Sequence, residues 1–257
     1  MAYALVTGAS KGIGKAIAFN LAARGFDVLL VARNVQLLQQ TAEEIKAKHN
    51  TNVQYFGVDL SAPQSSDEIF HWCTSSNFIV AVLVNNAGYG LSGKFETYAL
   101  QQHLDMLHVN MDAVVKLTYL FLPQLKQQPK AYILNIASNA AYQAVPYLGL
   151  YAATKAFVLQ FSRALRYELA NTSVSVTCIS PGTTDTDFAT TANVGPKAMK
   201  AAKKLNMSSQ DVAKVAVDSM FKGKTEVIVG ALNKVGAFFV WLLPKKFVES
   251  TAAKLYE

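Results

Sequence analysis

TGASKGIG, residues 7–14, follows a short apolar run at residues 2–7 and precedes a segment with apolar residues three and four positions apart. Its glycines, Gly8, Gly12 and Gly14, have the spacing TGxxxGxG. Glycines so placed allow a tight turn from strand to helix and let backbone N–H groups approach a pyrophosphate. The stretch therefore predicts a strand, a dinucleotide-binding turn and a helix, although Gly8 alone could simply end a strand.

Apolar runs of strand length alternate with helical patterns along the rest of the chain. They cover residues 2–7, 26–32, 52–58, 78–84, 131–137, 174–179 and 226–230. Such alternation is typical of a parallel sheet with right-handed crossovers. We therefore predict an α/β fold, a Rossmann-type doubly wound sheet of seven mainly parallel strands with helices on both faces, in a single domain spanning residues 1–257.

Composition excludes several classes of protein. Hydrophobic residues make up 51% of 257 residues, which argues against disorder. The two cysteines, Cys73 and Cys178, form no CxxC motif, and the four histidines form no ligand cluster, so we predict no metal site and a reducing, cytoplasmic location. The first residues do not resemble a signal peptide, and no apolar run reaches the length of a membrane span. The net charge of +7 is scattered, so no nucleic-acid partner is expected.

A tyrosine and a lysine stand four residues apart in YAATK, residues 151–155, thirteen residues after Ser138. Residues at i and i+4 share one helix face, so the Lys155 ammonium can act on the Tyr151 phenol. A cation favours the charged form of a phenol, whose ordinary pKa is ~10. We therefore expect a lowered pKa that suits Tyr151 to proton transfer near neutral pH.

Together with NNAG at 85–88, HVN at 108–110 and NIAS at 135–138, these motifs resemble the short-chain dehydrogenase/reductase family, from residue 2 to about residue 230. The likeness is to NADP-preferring members of the 3-oxoacyl and hydroxysteroid reductase type. It implies a catalytic set of Asn110, Ser138, Tyr151 and Lys155. Tyr151 would protonate a carbonyl oxygen, Ser138 would stabilise the alkoxide, Lys155 would hold the nicotinamide ribose, and Asn110 would hold a relay water. Each residue alone also has an ordinary structural interpretation.

The cofactor can be argued from charge. The second strand ends Val31-Ala32-Arg33-Asn34 with no acid, and Lys11 lies in the glycine turn. An arginine accommodates the 2′-phosphate of NADP, so we expect NADP(H), although both cations could be ordinary exposed bases. The resemblance adds three contacts: Asp59 and Leu60 at the adenine, NNAG beside the ribose, and PGTTDTDF (181–188) at the nicotinamide. Asp59 could equally be a turn residue. The predicted cofactor-binding set is Gly8, Ser10, Lys11, Gly12, Ile13, Gly14, Arg33, Asp59, Leu60, Asn86, Ala87, Gly88, Tyr151, Lys155, Pro181, Gly182, Thr184 and Thr186.

Two segments remain open. The resemblance makes residues 189–207 a mobile substrate lid, and the alternative is a surface loop and helix. The C-terminal apolar extension, residues 231–257, contains the run AFFVWLL at 237–243. Core or subunit packing is the favoured interpretation of this run, since large apolar patches mark interfaces. Covering a bulky apolar substrate, or peripheral contact with a membrane surface, are the alternatives.

The sequence thus predicts an NADPH-dependent reductase whose small-molecule substrate is a lipophilic ketone, of 3-oxoacyl or steroid type. The alternatives are an alcohol dehydrogenase that works oxidatively and a non-catalytic NADPH-sensing protein. Relatives pair through helices that here would cover 100–127 and 150–170. Both carry apolar residues beyond one core-facing stripe, so we predict a homodimer or homotetramer. These residues are Leu117, Tyr119, Phe121, Phe157, Leu159 and Phe161.

Overall fold

A seven-stranded, entirely parallel sheet forms the centre of the protein. The computed structural model describes residues 2–256, apart from the side chains of residues 201–205. The strand order is β3-β2-β1-β4-β5-β6-β7, which confirms the predicted Rossmann-type sheet. The strands are β1 (Tyr3–Thr7), β2 (Asp27–Ala32), β3 (Val53–Gly57), β4 (Val80–Asn85), β5 (Ala131–Ile136), β6 (Val174–Ser180) and β7 (Glu226–Ile228).

Helices connect the strands and cover both faces of the sheet. A π-helical turn, His108–Asp112, joins the fourth and fifth helices, and a short 3-10 helix, Asn139–Tyr142, follows β5. The α-helices are α1 (Gly12–Ala22), α2 (Val35–Lys48), α3 (Ser65–Ser75), α4 (Leu100–Leu107), α5 (Ala113–Lys126), α6 (Gly149–Glu168), α7 (Phe188–Thr191), α8 (Pro196–Leu205), α9 (Ser209–Phe221), α10 (Ala231–Leu242) and α11 (Lys245–Tyr256).

The core lies on the two faces of the sheet. Alternate side chains of β1, such as Val6 and Leu5, point to opposite faces. One face packs against α1, α2 and α9, and the other against α3, α5 and α6. The chain builds outward from β1 to β3 and then returns to β4 on the other side of β1. This reversal opens a crevice at the carboxyl ends of β1 and β4, where open α/β sheets bind ligands.

Half of the six apolar residues from which we predicted an oligomer are buried inside the subunit. Leu117 is 1% exposed, Phe121 0% and Leu159 2%, so these three need no partner surface. Phe121 is covered by α3, where the Phe70 ring lies 5.2 Å from its own. The oligomer prediction was therefore wrong to rest on these three residues. Tyr119, which is 77% exposed, still offers an apolar surface.

None of the described helices combines the length and the apolar character needed to cross a bilayer.

Candidate active site

The glycine turn lies where β1 ends and α1 begins. Gly8 and Gly12 have φ angles of +65° and +58°, which side-chain-bearing residues rarely adopt. A Cβ on Gly8 would also lie 2.8 Å from the Asn86 amide nitrogen. That amide donates a hydrogen bond to the Thr7 carbonyl oxygen at 2.9 Å, so the turn is held against the end of β4. The backbone N–H groups that open α1 are thereby left free to face an anion.

Asn110 lies in the π-helical turn between α4 and α5 and is fully buried. Its amide nitrogen donates to the Tyr89 carbonyl oxygen at 2.9 Å and to the Thr154 hydroxyl at 3.0 Å. Its amide oxygen accepts from the Tyr89 backbone N–H at 3.1 Å. Asn110 therefore joins the irregular segment after NNAG to α6, beside Tyr151 and Lys155. π-helical turns often occur at functional sites.

Lys155 and Tyr151 lie one turn apart on the buried side of α6. The Lys155 Nζ atom donates to the Ile136 carbonyl oxygen at 2.9 Å and lies 5.8 Å from the centre of the Tyr151 ring. Ser138 begins the short 3-10 helix after β5, and its hydroxyl accepts from the Ala140 N–H at 3.2 Å. The Phe188 ring packs against Tyr151 with centroids 5.1 Å apart.

Burial controls the titration of this pair. Burial raises the pKa of Tyr151 to about 12. A hydrogen bond with Ser138 lowers this pKa by a smaller amount, and the nearby Tyr256 raises it further. Burial also lowers the pKa of Lys155 to about 8. Our expectation that Lys155 lowers the pKa of Tyr151 was therefore wrong for the protein without ligand. At neutral pH the site holds a protonated phenol and a protonated amine.

The two predicted phosphate-binding cations are both paired with carboxylates. Lys11 Nζ lies 2.7 Å from Asp187, and Arg33 lies 3.6 Å from Asp59. Asp59 also accepts a hydrogen bond from the Ser61 N–H at 3.0 Å, which fits its alternative interpretation as a turn residue. Burial acts to raise the pKa of Asp59, but the Ser61 hydrogen bonds and the Arg33 charge outweigh it and leave the pKa below its ordinary value.

One cavity of about 920 Å³ connects these parts. Every predicted cofactor-binding residue except Gly14 lines it, as does Ser138, while Asn110 lies behind its wall. Gly14 packs against Gly8 and Asn86 instead, where a Cβ would not fit.

The cavity wall fits a dinucleotide. At Gly88 a Cβ would come within 3.0 Å of Lys155 Nζ, so the glycine keeps the wall open there. The buried Asn139 Oδ1 atom, also in the wall, has no hydrogen-bond partner among the described residues.

Sequence reasoning missed three contributors to the site. Thr154 bonds to Asn110, Asp187 pairs with Lys11, and Tyr256 reaches the cavity from the end of α11. Thr154 lies inside the YAATK motif and Asp187 inside PGTTDTDF, so their positions in the sequence could have indicated a place in the site. Tyr256 gave none, because only the fold brings it to Tyr151.

The predicted lid and tail both contribute to the cavity wall. Residues 189–207 contain most of α7 and all of α8, and Ala189, Val194 and Ala198 line the cavity. The side chains of residues 201–205 lie outside the described part, and the closing motion stays a prediction. From the tail, Phe239, Leu243, Phe247, Val248 and Leu255 also line it.

Comparisons with known proteins agree with this geometry. The family model described as short chain dehydrogenase matches residues 2–197. The chain is 32% identical over 236 residues to 17-beta-hydroxysteroid dehydrogenase type 3 of Mus musculus, covering 91% of this chain and 76% of that protein. It is 35% identical over 177 residues to very-long-chain 3-oxoacyl-CoA reductase of Laccaria bicolor, covering 68% and 52%.

Solved structures give the same result. A short-chain dehydrogenase from Sphingobium yanoikuyae in complex with NADPH superposes with a TM-score of 0.81 at 26% identity, covering 93% of this chain and 92% of that chain. One from Burkholderia phymatum in complex with NAD, at 22% identity and the same coverage of 93% and 92%, has a TM-score of 0.82 and shows the fold alone. The fold, the family model and the identity to these relatives lead to one conclusion: the chain belongs to the short-chain dehydrogenase/reductase family and is an oxidoreductase of carbonyl and alcohol groups.

Proposed function

We propose that this protein is an NADPH-dependent reductase of bulky, lipophilic ketones. The observation that carries the proposal is the assembly of Ser138, Tyr151 and Lys155 around one cavity that the glycine turn also lines. When bound, a reduced nicotinamide supplies the hydride. The chain supplies the proton, the orientation and the electrostatics.

Each side chain has one role in the proposed reaction. Tyr151, protonated at neutral pH, gives its proton to the carbonyl oxygen, and the Ser138 hydroxyl donates a hydrogen bond to the same oxygen. The Lys155 ammonium holds the ribose and stabilises the tyrosinate that remains. Asn110 fixes the Tyr89 backbone and Thr154, and in our proposal it positions the water that returns a proton to Tyr151.

The choice of NADPH rests on charge at the far end of the cavity. The Arg33 side chain is 70% exposed and that of Lys11 57% exposed, so both can turn towards a 2′-phosphate. Their pairs with Asp59 and Asp187 are exposed, and exposed ion pairs are weak enough to exchange partners. The NADPH complex of the Sphingobium enzyme supports this choice, while the NAD complex of the Burkholderia enzyme leaves NADH as the competitor.

The substrate class rests on the cavity beside Tyr151. Its wall there consists of large apolar side chains from the segment before α6, the start of α7 and the tail, with few polar groups apart from the catalytic set. A steroid or a long 3-oxoacyl chain fits such a wall. The names of the mouse and Laccaria relatives support this class. The residues of this wall are Val145, Leu148, Phe188, Phe239, Leu243, Phe247, Val248 and Leu255.

Two further features belong to the proposal. We place the enzyme in the reducing cytosol, because Cys73 and Cys178 are buried free thiols.

We also propose a homodimer or homotetramer whose active sites are complete within each subunit, with exposed Tyr119 on the pairing surface.

Loss of NADPH absorbance in the presence of a panel of ketones tests the reaction. The proposed reductase should consume NADPH faster with bulky apolar ketones than with small polar ketones. An alcohol dehydrogenase that works oxidatively would instead reduce NADP⁺ with the matching alcohols at much higher kcat/KM. A cofactor sensor would bind NADPH and never consume it, and this result would refute the enzyme assignment.

A further inference from the structure

The two C-terminal helices carry an unusual share of the exposed apolar surface. Of the seventeen large apolar side chains that are exposed in the described residues, eight lie in α10 and α11. Trp241 is 74% exposed and Leu232 69% exposed, and α10 has no buried residue at all. The favoured sequence interpretation was core or subunit packing, and burial in the core does not hold for this run, while packing on a partner subunit stays a prediction. The eight are Leu232, Val235, Phe238, Phe239, Trp241, Leu242, Phe247 and Leu255.

α10 is apolar on two sides that have different neighbours. Gly236, Phe239 and Val240 line the cavity, whereas Phe238 and Trp241 do not. Phe238 and Trp241 lie on the opposite side and contact each other, with ring centroids 6.0 Å apart. A helix that is apolar all round needs cover on every side. The cavity accounts for one side, and the other side requires a partner.

Charge indicates the kind of partner. The tail, residues 231–257, contains four lysines, Lys234, Lys245, Lys246 and Lys254, and two acids, Glu249 and Glu257. None of these lysines takes part in an ion pair within the described chain. Lys234, Phe238 and Trp241 are spaced as i, i+4 and i+7, which places them on the same face of α10. Lysines beside an apolar face with Trp and Phe are typical of helices that lie in an anionic lipid surface.

We propose that α10 and α11 dock the protein on an anionic lipid bilayer, with Phe238 and Trp241 inserted and the lysines at the headgroups. The lysines favour this occupant over a second copy of the chain. A two-fold interface through the same face would bring Lys234 of both copies together, in two tails that each carry an excess of lysines, and like charges repel.

Docking in this orientation leaves α10 between the bilayer and the cavity, with cavity-lining side chains exposed beside it. Phe239, Phe247 and Leu255 line the cavity and are also exposed, by 48%, 59% and 39%. A lipophilic ligand can therefore pass from the acyl chains into the cavity along apolar side chains. This consequence rests on the proposed function, whereas docking itself does not.

Flotation of the full chain with vesicles, without cofactor or ketone, tests the docking separately from the reaction. Vesicles of phosphatidylcholine with phosphatidylglycerol should bind the protein about 10-fold more tightly than phosphatidylcholine alone, because several lysines face the headgroups. Phe238→Ser/Trp241→Ser should weaken binding by about 10-fold or more, because these side chains would no longer be buried in lipid. Tyr55→Ser/Tyr167→Ser, which removes two exposed aromatic rings outside the tail and outside the proposed pairing surface, should leave binding unchanged.

Fluorescence gives a second readout. The chain has two tryptophans, and the other, Trp72, is stacked on Phe56. Vesicles should shift the emission of Trp241 to the blue, and Trp241→Phe should abolish the shift. The proposal is overturned if the wild type binds neither vesicle, or if the Phe238→Ser/Trp241→Ser variant binds like the wild type. It is also overturned if that variant binds vesicles like the wild type but no longer self-associates in the absence of lipid. That result would assign the face to a second copy of the chain. Unchanged thermal unfolding shows that the variants are folded.

Discussion

Lys11 and Asp187 form an ion pair, with Nζ and the carboxylate oxygen 2.7 Å apart, that joins the glycine turn to the residue preceding α7. The pair links the predicted pyrophosphate site to the segment that contains the lid. Both side chains are more than half exposed. The link is therefore weak enough to open when a ligand arrives.

Asp187→Asn should tighten NADPH binding, because it frees the Lys11 charge for the cofactor. Exposed pairs are worth about 0–1 kcal/mol, so we expect at most about a 5-fold fall in Kd. Titration calorimetry at low salt measures it. Asp185→Asn is the matched control, since it removes a nearby exposed carboxylate that has no ion pair within the described residues. Equal effects of both changes would mean that net charge, and not the Lys11 pair, is responsible.

Arg33→Asp should reverse the cofactor preference towards NADH, because a carboxylate repels the 2′-phosphate and accepts the 2′-hydroxyl. Losing a charge-assisted contact should weaken NADPH binding by about 10- to 100-fold. Arg33→Lys keeps the charge without the planar fork and should lie between the two. Tighter binding of NADH than NADPH by the wild type would contradict the assignment.

Tyr151→Phe should reduce kcat by about 10²- to 10⁴-fold and leave NADPH binding nearly unchanged, because it removes only the transferable proton. Lys155→Met should impair both turnover and NADPH binding. Tyr256→Phe is the control, since it removes a phenol from the same cavity without removing the proposed donor. Substantial ketone reduction by Tyr151→Phe would place the proton source elsewhere.

The kcat/KM of ketone reduction should be level below pH 8 and fall above it. Lys155 has a pKa of about 8, so it carries its charge below that pH and loses it above. Tyr151, with a pKa of about 12, stays protonated throughout and cannot cause the decline. Lys155→Arg should move the decline to higher pH, because a guanidinium stays charged. A wild-type profile that is level to pH ~10 would show that this charge is not needed.

The sheet could be predicted because each strand carries its own signal. β4 and β5 are buried at every position, so apart from Asn85 and Asn135 their sequences are apolar runs of strand length, which are visible without any alternation. The tight β1–α1 turn, with Gly8 and Gly12 at positive φ, likewise needs the glycines that made TGASKGIG recognisable.

Properties that depend on several elements at once could not be predicted. The sequence shows that Phe121 is apolar, but not that α3 covers the side of α5 on which it lies. The raised pKa of Tyr151 similarly depends on burial among groups that include Phe188 and Tyr256, which are distant along the chain. The exposure of α10 is also a result of folding, since no local pattern separates a buried apolar helix from an uncovered one.

The π-helical turn at His108–Asp112 contains one residue more than a regular α-helical turn would hold. Each residue of an α-helix turns the chain by about 100°, so deleting that residue would rotate α4 against α5 by a similar angle. Either Asn110 would leave Tyr89 and Thr154, or Leu117 and Phe121 would leave the core. A single-residue deletion here would therefore preserve an unbroken helix and still uncouple the active site from the folded core.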